Sequence, residues 1–104
     1  LVLVLVLVPP AMAETIYVSN EQDNTVAVVD GAPMTQQAAI EVGRRPRGMA
    51  LSVDKKTLFV AEGDDNRIDV VDLAKPQVVG QLPSGADPEF FVVHQDGKRL
   101  FAAN

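Results

Sequence analysis

The 104-residue chain has no cysteine and no tryptophan, and only one histidine and one tyrosine. Without thiols, disulfides, thiolate zinc sites and cysteine nucleophiles are excluded. A folded domain must therefore draw its stability from core packing. Basic residues are outnumbered, nine Lys and Arg against fourteen Asp and Glu, for a net charge of −5. With no lysine-rich stripe, nucleic acid and an anionic membrane surface are poor partners. No Gly-x-Gly-x-x-Gly, Walker or serine-nucleophile motif is present. The glycines of Gly43-Arg44-Arg45-Pro46-Arg47-Gly48 flank a proline and precede a predicted strand. A phosphate-cradling loop would instead open a helix. One apolar run stands apart from the rest of the chain, at its start.

That run is an unbroken Leu/Val alternation from Leu1 to Val8. Pro9 and Pro10 stop it, and Ala11-Met12-Ala13 follows. An apolar stretch, a breaker and a small-x-small triplet match the core and cleavage site of a secretory signal peptide. A bilayer span needs about 20 apolar residues, far more than this run supplies. The expectation is a signal peptide over residues 1–13, truncated at its N-terminus because no charged segment precedes it. Cleavage after Ala13 then delivers residues 14–104 to the periplasm as a soluble chain. An exposed β-strand of a longer protein is the plain alternative.

The remaining sequence is an internal repeat. Shifted by 42 residues, Ile16-Tyr17-Val18-Ser19-Asn20 falls on Leu58-Phe59-Val60-Ala61-Glu62, which falls on Leu100-Phe101-Ala102-Ala103-Asn104. Asn24 meets Asn66, and Val26–Asp30 meets Ile68–Asp72. Gly43 meets Gly85, Pro46 meets Pro88, Asp54 meets Asp96 and Lys56 meets Lys98, all without a gap. Two full periods cover 16–57 and 58–99, and a third begins at Leu100. Within the second period, Val-, Ile-, Phe- and Leu-rich runs at Leu58–Ala61, Arg67–Val71, Val78–Leu82 and Phe90–His94 predict strands. Asn, Asp, Gly and Pro between them are turn chemistry. Four strands in a period of about 40–45 residues is the arithmetic of a β-propeller blade. No segment has the apolar spacing of three and four that a helical solenoid needs. Phe90-Phe91-Val92-Val93 is apolar on both faces, as expected where sheets stack face to face. The fold class is therefore all-β: a partial β-propeller of about two four-stranded antiparallel blades. Two blades would leave open faces and edges, so residues 14–104 alone are not expected to form a stable monomer.

Tyr17-Val18-Ser19-Asn20 and Asn24-Thr25-Val26-Ala27-Val28-Val29-Asp30 resemble the YVTN-type β-propeller repeat, and the likeness covers residues 16–104. The loops Gly43–Ser52 and Leu82–Phe90 are most similar to those of periplasmic propellers associated with pyrroloquinoline-quinone (PQQ)-dependent alcohol catabolism. The resemblance implies a seven-bladed periplasmic parent with no established catalytic residues, and no metal or cofactor is expected. The family's Pro-Asp-Gly-Lys turn reads Val53-Asp54-Lys55-Lys56 in the first repeat and Gln95-Asp96-Gly97-Lys98 in the second. If Lys55 takes the positive φ of Gly97, strain of roughly 1 kcal/mol follows.

Candidate chemistry gathers in three places. His94 aligns with Ser52 at the end of an inner strand, which favours a structural hydrogen bond over a ligand or base role. Glu62-Gly63-Asp64-Asp65-Asn66 and Glu21-Gln22-Asp23-Asn24 concentrate oxygens, but the chain returns at once to a strand; hairpin turns are expected rather than calcium loops. Arg44, Arg45 and Arg47 lie on the connection between neighbouring blades, at one mouth of a propeller channel. They align with Ala86, Asp87 and Glu89, so Arg45 faces Asp87, and Arg47 faces Glu89, with opposite sign. Ion pairing between adjacent loops is the structural expectation. The functional expectation is a ligand- or partner-binding patch of Arg44, Arg45, Arg47, Asp87 and Glu89, with guanidinium forks suited to a small anionic ligand or an acidic surface of a periplasmic protein. The favoured reading is a non-enzymatic binding or scaffold protein. A lactonase-like propeller hydrolase and a haem-binding propeller of the nitrite reductase kind are the alternatives.

Overall fold

The computed structural model describes residues 3–8, 15–31 and 34–104. The expected cleavage site at Ala11–Ala13 lies outside them. The described residues form ten strands: β1 Leu3–Val8, β2 Thr15–Asn20, β3 Thr25–Gly31, β4 Met34–Glu41, β5 Pro46–Leu51, β6 Thr57–Glu62, β7 Arg67–Asp72, β8 Gln77–Pro83, β9 Phe90–Val93 and β10 Leu100–Ala103. The four runs expected in the second period coincide with β6 to β9, within a residue at either end. The strands assemble into two antiparallel four-stranded sheets, β1-β2-β3-β4 and β5-β6-β7-β8, and the pair β10-β9.

Sheet and sequence period are therefore out of phase. Each 42-residue period supplies three strands to one sheet and the first strand to the next. The first sheet takes its corresponding strand from β1, whose backbone pairs with β2 from Leu3↔Asn20 to Val8↔Thr15. The run expected to carry export thus occupies the position that β5 holds in the second sheet.

Equivalent positions repeat even in their irregularities. The β3–β4 ladder shifts register between Val28 and Val29, and β7–β8 shifts between Val70 and Val71, 42 residues on. A bulge increases local twist, and both sheets use the same one.

The core lies between sheets. Tyr17, Val26 and Ile40 of the first sheet pack on Leu58, Val60 and Val71 of the second. Ala61 and Ile68, on the other face of the second sheet, pack on Phe91 of the third. Middle strands are covered on both sides, which is why clean apolar–polar alternation is lost there.

Lys55 has φ +63°, close to the +72° of Gly97 at the equivalent turn position. A side chain in this left-handed region is strained and glycine is not. Lys55→Gly is expected to stabilise the chain by about 1 kcal/mol, read as a higher midpoint of thermal unfolding; an unchanged or lower midpoint would contradict it.

Candidate functional site

The β4–β5 and β8–β9 connections have the same backbone design. Asn24 and Asn66 occupy the left-handed region at φ +57° and +53°, ending their hairpin turns. Each then reaches the following connection. The Asn24 side-chain oxygen accepts the Arg45 N–H at 3.0 Å, and that of Asn66 accepts the Asp87 N–H at 2.9 Å. Arg45 and Asp87 are themselves at positive φ, +58° and +50°. The aligned asparagines had shown the repeat; their work as loop clamps emerges only here.

With the two connections held alike, opposite charges face each other across them. Arg45 Nη2 pairs with Asp87, and its Nε lies 2.9 Å from Asp64 Oδ1. Arg47 Nη2 pairs with Glu89, Nη1 lies 3.1 Å from Asp87, and Nε lies 3.3 Å from Glu21 on the first sheet's β2–β3 turn. The Arg47 carbonyl accepts the hydroxyl of buried Ser19 at 2.9 Å. Arg47 therefore ties loops of all three sheets, and its side chain is only 19% exposed. Arg44 points outward at 69% exposure and pairs with Asp65 at 2.7 Å. At such exposure the pair contributes little to stability. The backbone N–H of Arg44 also donates to Asp65 at 2.6 Å. That bond, first among several, holds the Asp65 carboxyl below its usual range.

The ion pairing expected from the 42-residue alignment is thus present: Arg45, Arg47, Asp87 and Glu89 share one network with Glu21 and Asp64, while Arg44 belongs to a second with Asp65, Arg67 and Asp69. Three arginines meet five carboxylates: Glu21, Asp64, Asp65, Asp87 and Glu89. The oxygens of Asp64 and Asp65 in the β6–β7 turn are engaged by Arg45, Arg44 and Arg67. Among the described residues no group of three or more His, Cys, Asp or Glu is arranged to hold a metal ion.

Beneath the arginine loop lies a part of the site that sequence reasoning missed. Asp69 is fully buried on β7. It accepts the Gly43 N–H at 2.8 Å and the Arg67 Nε–H at 2.8 Å. Glu62, also fully buried, ends β6 opposite Arg67. Neither of its carboxyl oxygens accepts a hydrogen bond, and the neighbouring Asp69 is the side chain that can take one from its acid proton. Loss of water, and then the negative charge of Asp69, push the Glu62 carboxyl up to about 9. At neutral pH it is a neutral acid inside the fold. Gly43 roofs this cluster. A Cβ there would come within 2.7 Å of the Asp65 carboxyl and 2.9 Å of the Arg67 guanidinium, so a larger residue would have to push these side-chain ends aside. One signal was available: Glu62 and Asp69 replace Asn20 and Ala27 of the first repeat, two acids introduced together.

His94 lies apart from the arginine loop. Its Nδ1 accepts the Asp96 N–H at 3.1 Å, and its ring meets Phe101 edge-on with centroids 6.3 Å apart. This is the local hydrogen bond expected for the position.

Stacked four-stranded antiparallel sheets, built from a 42-residue period offset by one strand, define a β-propeller fragment. The chain is similar to the solved structure of Kuenenia stuttgartiensis hydrazine synthase, with a TM-score of 0.81 and 25% identity over 86% of this chain and 25% of that one. It is also similar to a functionally unknown protein from Desulfotomaculum acetoxidans, with a TM-score of 0.76 and 20% identity over 86% of this chain and 31% of that one. The chain thus spans a quarter to a third of these two structures. No family model and no curated protein matches the sequence.

Proposed function

We propose that the chain belongs to an exported, non-enzymatic β-propeller that acts as a binding or scaffold protein, with the β4–β5 and β8–β9 connections on its recognition rim. The observation that supports this reading is the neutralisation of the arginines. Arg45 and Arg47 are ion-paired with Asp64, Asp87, Glu89 and Glu21. A free anion would have to displace those carboxylates, and the rim carries more acid than base. A protein surface of alternating charge can instead exchange pairs with it one at a time. Such complementarity sets specificity and association rate more than raw affinity. The likeness of these loops to those of PQQ-associated propellers supports placing the partner in periplasmic alcohol oxidation.

Two measurements test this. Calorimetric titration with citrate should give no saturable binding, and addition of divalent metal should induce no lactone hydrolysis. Saturable citrate binding lost in Arg44→Ala would favour the anion site. Metal-dependent hydrolysis lost in Asp87→Asn or Glu89→Gln would favour the hydrolase instead. Export is part of the proposal: the secreted protein should begin at Glu14 on N-terminal sequencing, and then lacks β1. A mature chain retaining Leu3–Val8 would remove the export signal from the reading.

A further inference from the structure

Glu62 and Asp69 are the fully buried acids among the described residues. Elsewhere the core lies between sheets, but these two are covered by a stretch of loop backbone. Gly43 stands over them, half-exposed itself, and a Cβ there would meet the Glu62 Cγ at 3.1 Å. The roof is fastened to the hairpin beneath it. Gly43 N–H donates to Asp69 at 2.8 Å and Arg44 N–H to Asp65 at 2.6 Å, while the Arg45 carbonyl accepts the Gly63 N–H at 2.9 Å.

Charge in this cluster balances only with a proton. Three carboxyls, Glu62, Asp65 and Asp69, meet two guanidiniums, Arg44 and Arg67. Arg67 pairs with Asp69 and Asp65, and Arg44 with Asp65. Glu62 is the acid left without an ion pair. The strands beside it add no charge: β5 sets Pro46 opposite Glu62, and β8 sets Gln81 opposite Asp69. The first sheet, packed on the same face of β6, brings Tyr17, whose hydroxyl burial raises above 10 and so keeps neutral. One period before and one after Glu62 stand Asn20 and Asn104, which cannot ionise. Asn104 lies under the β8–β9 connection and donates to the Ala86 carbonyl at 2.6 Å. The β4–β5 connection thus rests on a titratable residue where its counterpart rests on an amide.

We propose that Glu62 and Asp69 form a proton-controlled latch on the β4–β5 connection. With one proton held between them, the acids stay dry and Gly43 stays seated. When that proton passes to solvent, two carboxylates face each other out of water. Lifting Gly43–Arg45 lets water reach them without unfolding the sheets. Opening releases the proton, because the Glu62 carboxyl returns from about 9 towards 4.5 once it is wet. Rising pH between those values therefore favours the open loop, by up to about ten-fold per unit. The lifted segment carries Arg44 and Arg45 away from Asp65 and Asp64, so acidity sets which charges the rim presents. This last consequence rests on the rim reading above; the latch does not.

Amide hydrogen exchange on the full chain tests the latch, with each rate divided by the intrinsic rate at the same pH. The Arg45 and Asp87 N–H groups are matched probes, since each is held by an asparagine oxygen. From pH 5.5 to 7.5, Gly43, Arg44 and Arg45 should lose protection by about ten-fold per unit. Asp87 should not respond, and the β7 amides should remain better protected than the loop at every pH. Glu62→Gln should flatten the response of the loop. If that variant does not fold, Glu62→Asn, the residue of both equivalent positions, replaces it. A loop that keeps its protection across this range in wild type overturns the proposal. So does a response that survives in the uncharged variant, or one shared by Asp87. Loop and β7 amides exchanging at one common protection would also overturn it, because the acids would then be reached only by global unfolding. None of these rates involves a partner, so the latch and the rim reading can fail separately.

Discussion

Glu62→Gln is expected to raise stability above neutral pH and to abolish most of the chain's sensitivity to alkali. Burial and Asp69 lift the Glu62 carboxyl from 4.5 to about 9 in the folded chain. Between those values the folded state holds a proton that the unfolded state has released. Stability therefore falls as pH rises through this window, by about 1.4 kcal/mol per pH unit. Glutamine has the shape of the protonated acid and no charge to desolvate. Wild type should melt at a clearly lower temperature at pH 8 than at pH 5.5, whereas Glu62→Gln should melt at nearly the same temperature at both. Parallel profiles for the two proteins would show that Glu62 is ionised at neutral pH and the argument fails. Asp54, Asp65 and Asp96 work in a separate window. Hydrogen bonds from Ser52, from the Arg44 N–H and from the Lys98 N–H respectively hold them below 3.8. Their contribution is present above that value and lost as pH falls through their lowered pKa values, so it does not disturb the comparison.

Asp69→Ala should be the most damaging change near the candidate site, destabilising the chain by about 3 kcal/mol. It removes the acceptor of both the Gly43 N–H and the Arg67 Nε–H. Partners left behind by the loss of a buried charge cost more than the intact pair contributed. Asp69→Asn keeps an acceptor for Gly43 and should cost less than half as much. Chemical denaturation measures both. Local release of the loop has its own readout, faster trypsin cleavage after Arg44 at concentrations that leave wild type intact. Equal costs for the alanine and asparagine variants would mean that the bond to Gly43 contributes nothing. Because Asp69 also raises the Glu62 carboxyl, the double variant with Glu62→Gln should be non-additive.

Much of the candidate site was legible as alignment. Arg45 against Asp87, and Arg47 against Glu89, were opposed in sign at a separation of one period, and each pair is formed. The positive φ of Lys55 followed from Gly97 in the same way. Repetition made this possible: residues one period apart sit at equivalent places on adjacent sheets. Glu21, Asp64 and Asp65 could not be assigned by that route, because they reach the arginines from hairpin turns rather than from the equivalent connection. For Leu3–Val8 the strand reading stood beside the export reading, since an alternating Leu/Val run has the composition of both, and the structure pairs it with β2.

The sequence by itself determined the repeating unit, its strands, its turns and its antiparallel order, because strand periodicity and turn chemistry act over a few residues and recur every 42. Only the tertiary structure decided which charges are neutralised and which carboxyl is kept protonated. Those outcomes depend on how far water is excluded when segments distant in the chain meet. A carboxylate at the end of a strand costs little in solvent and a great deal beside a second buried carboxylate.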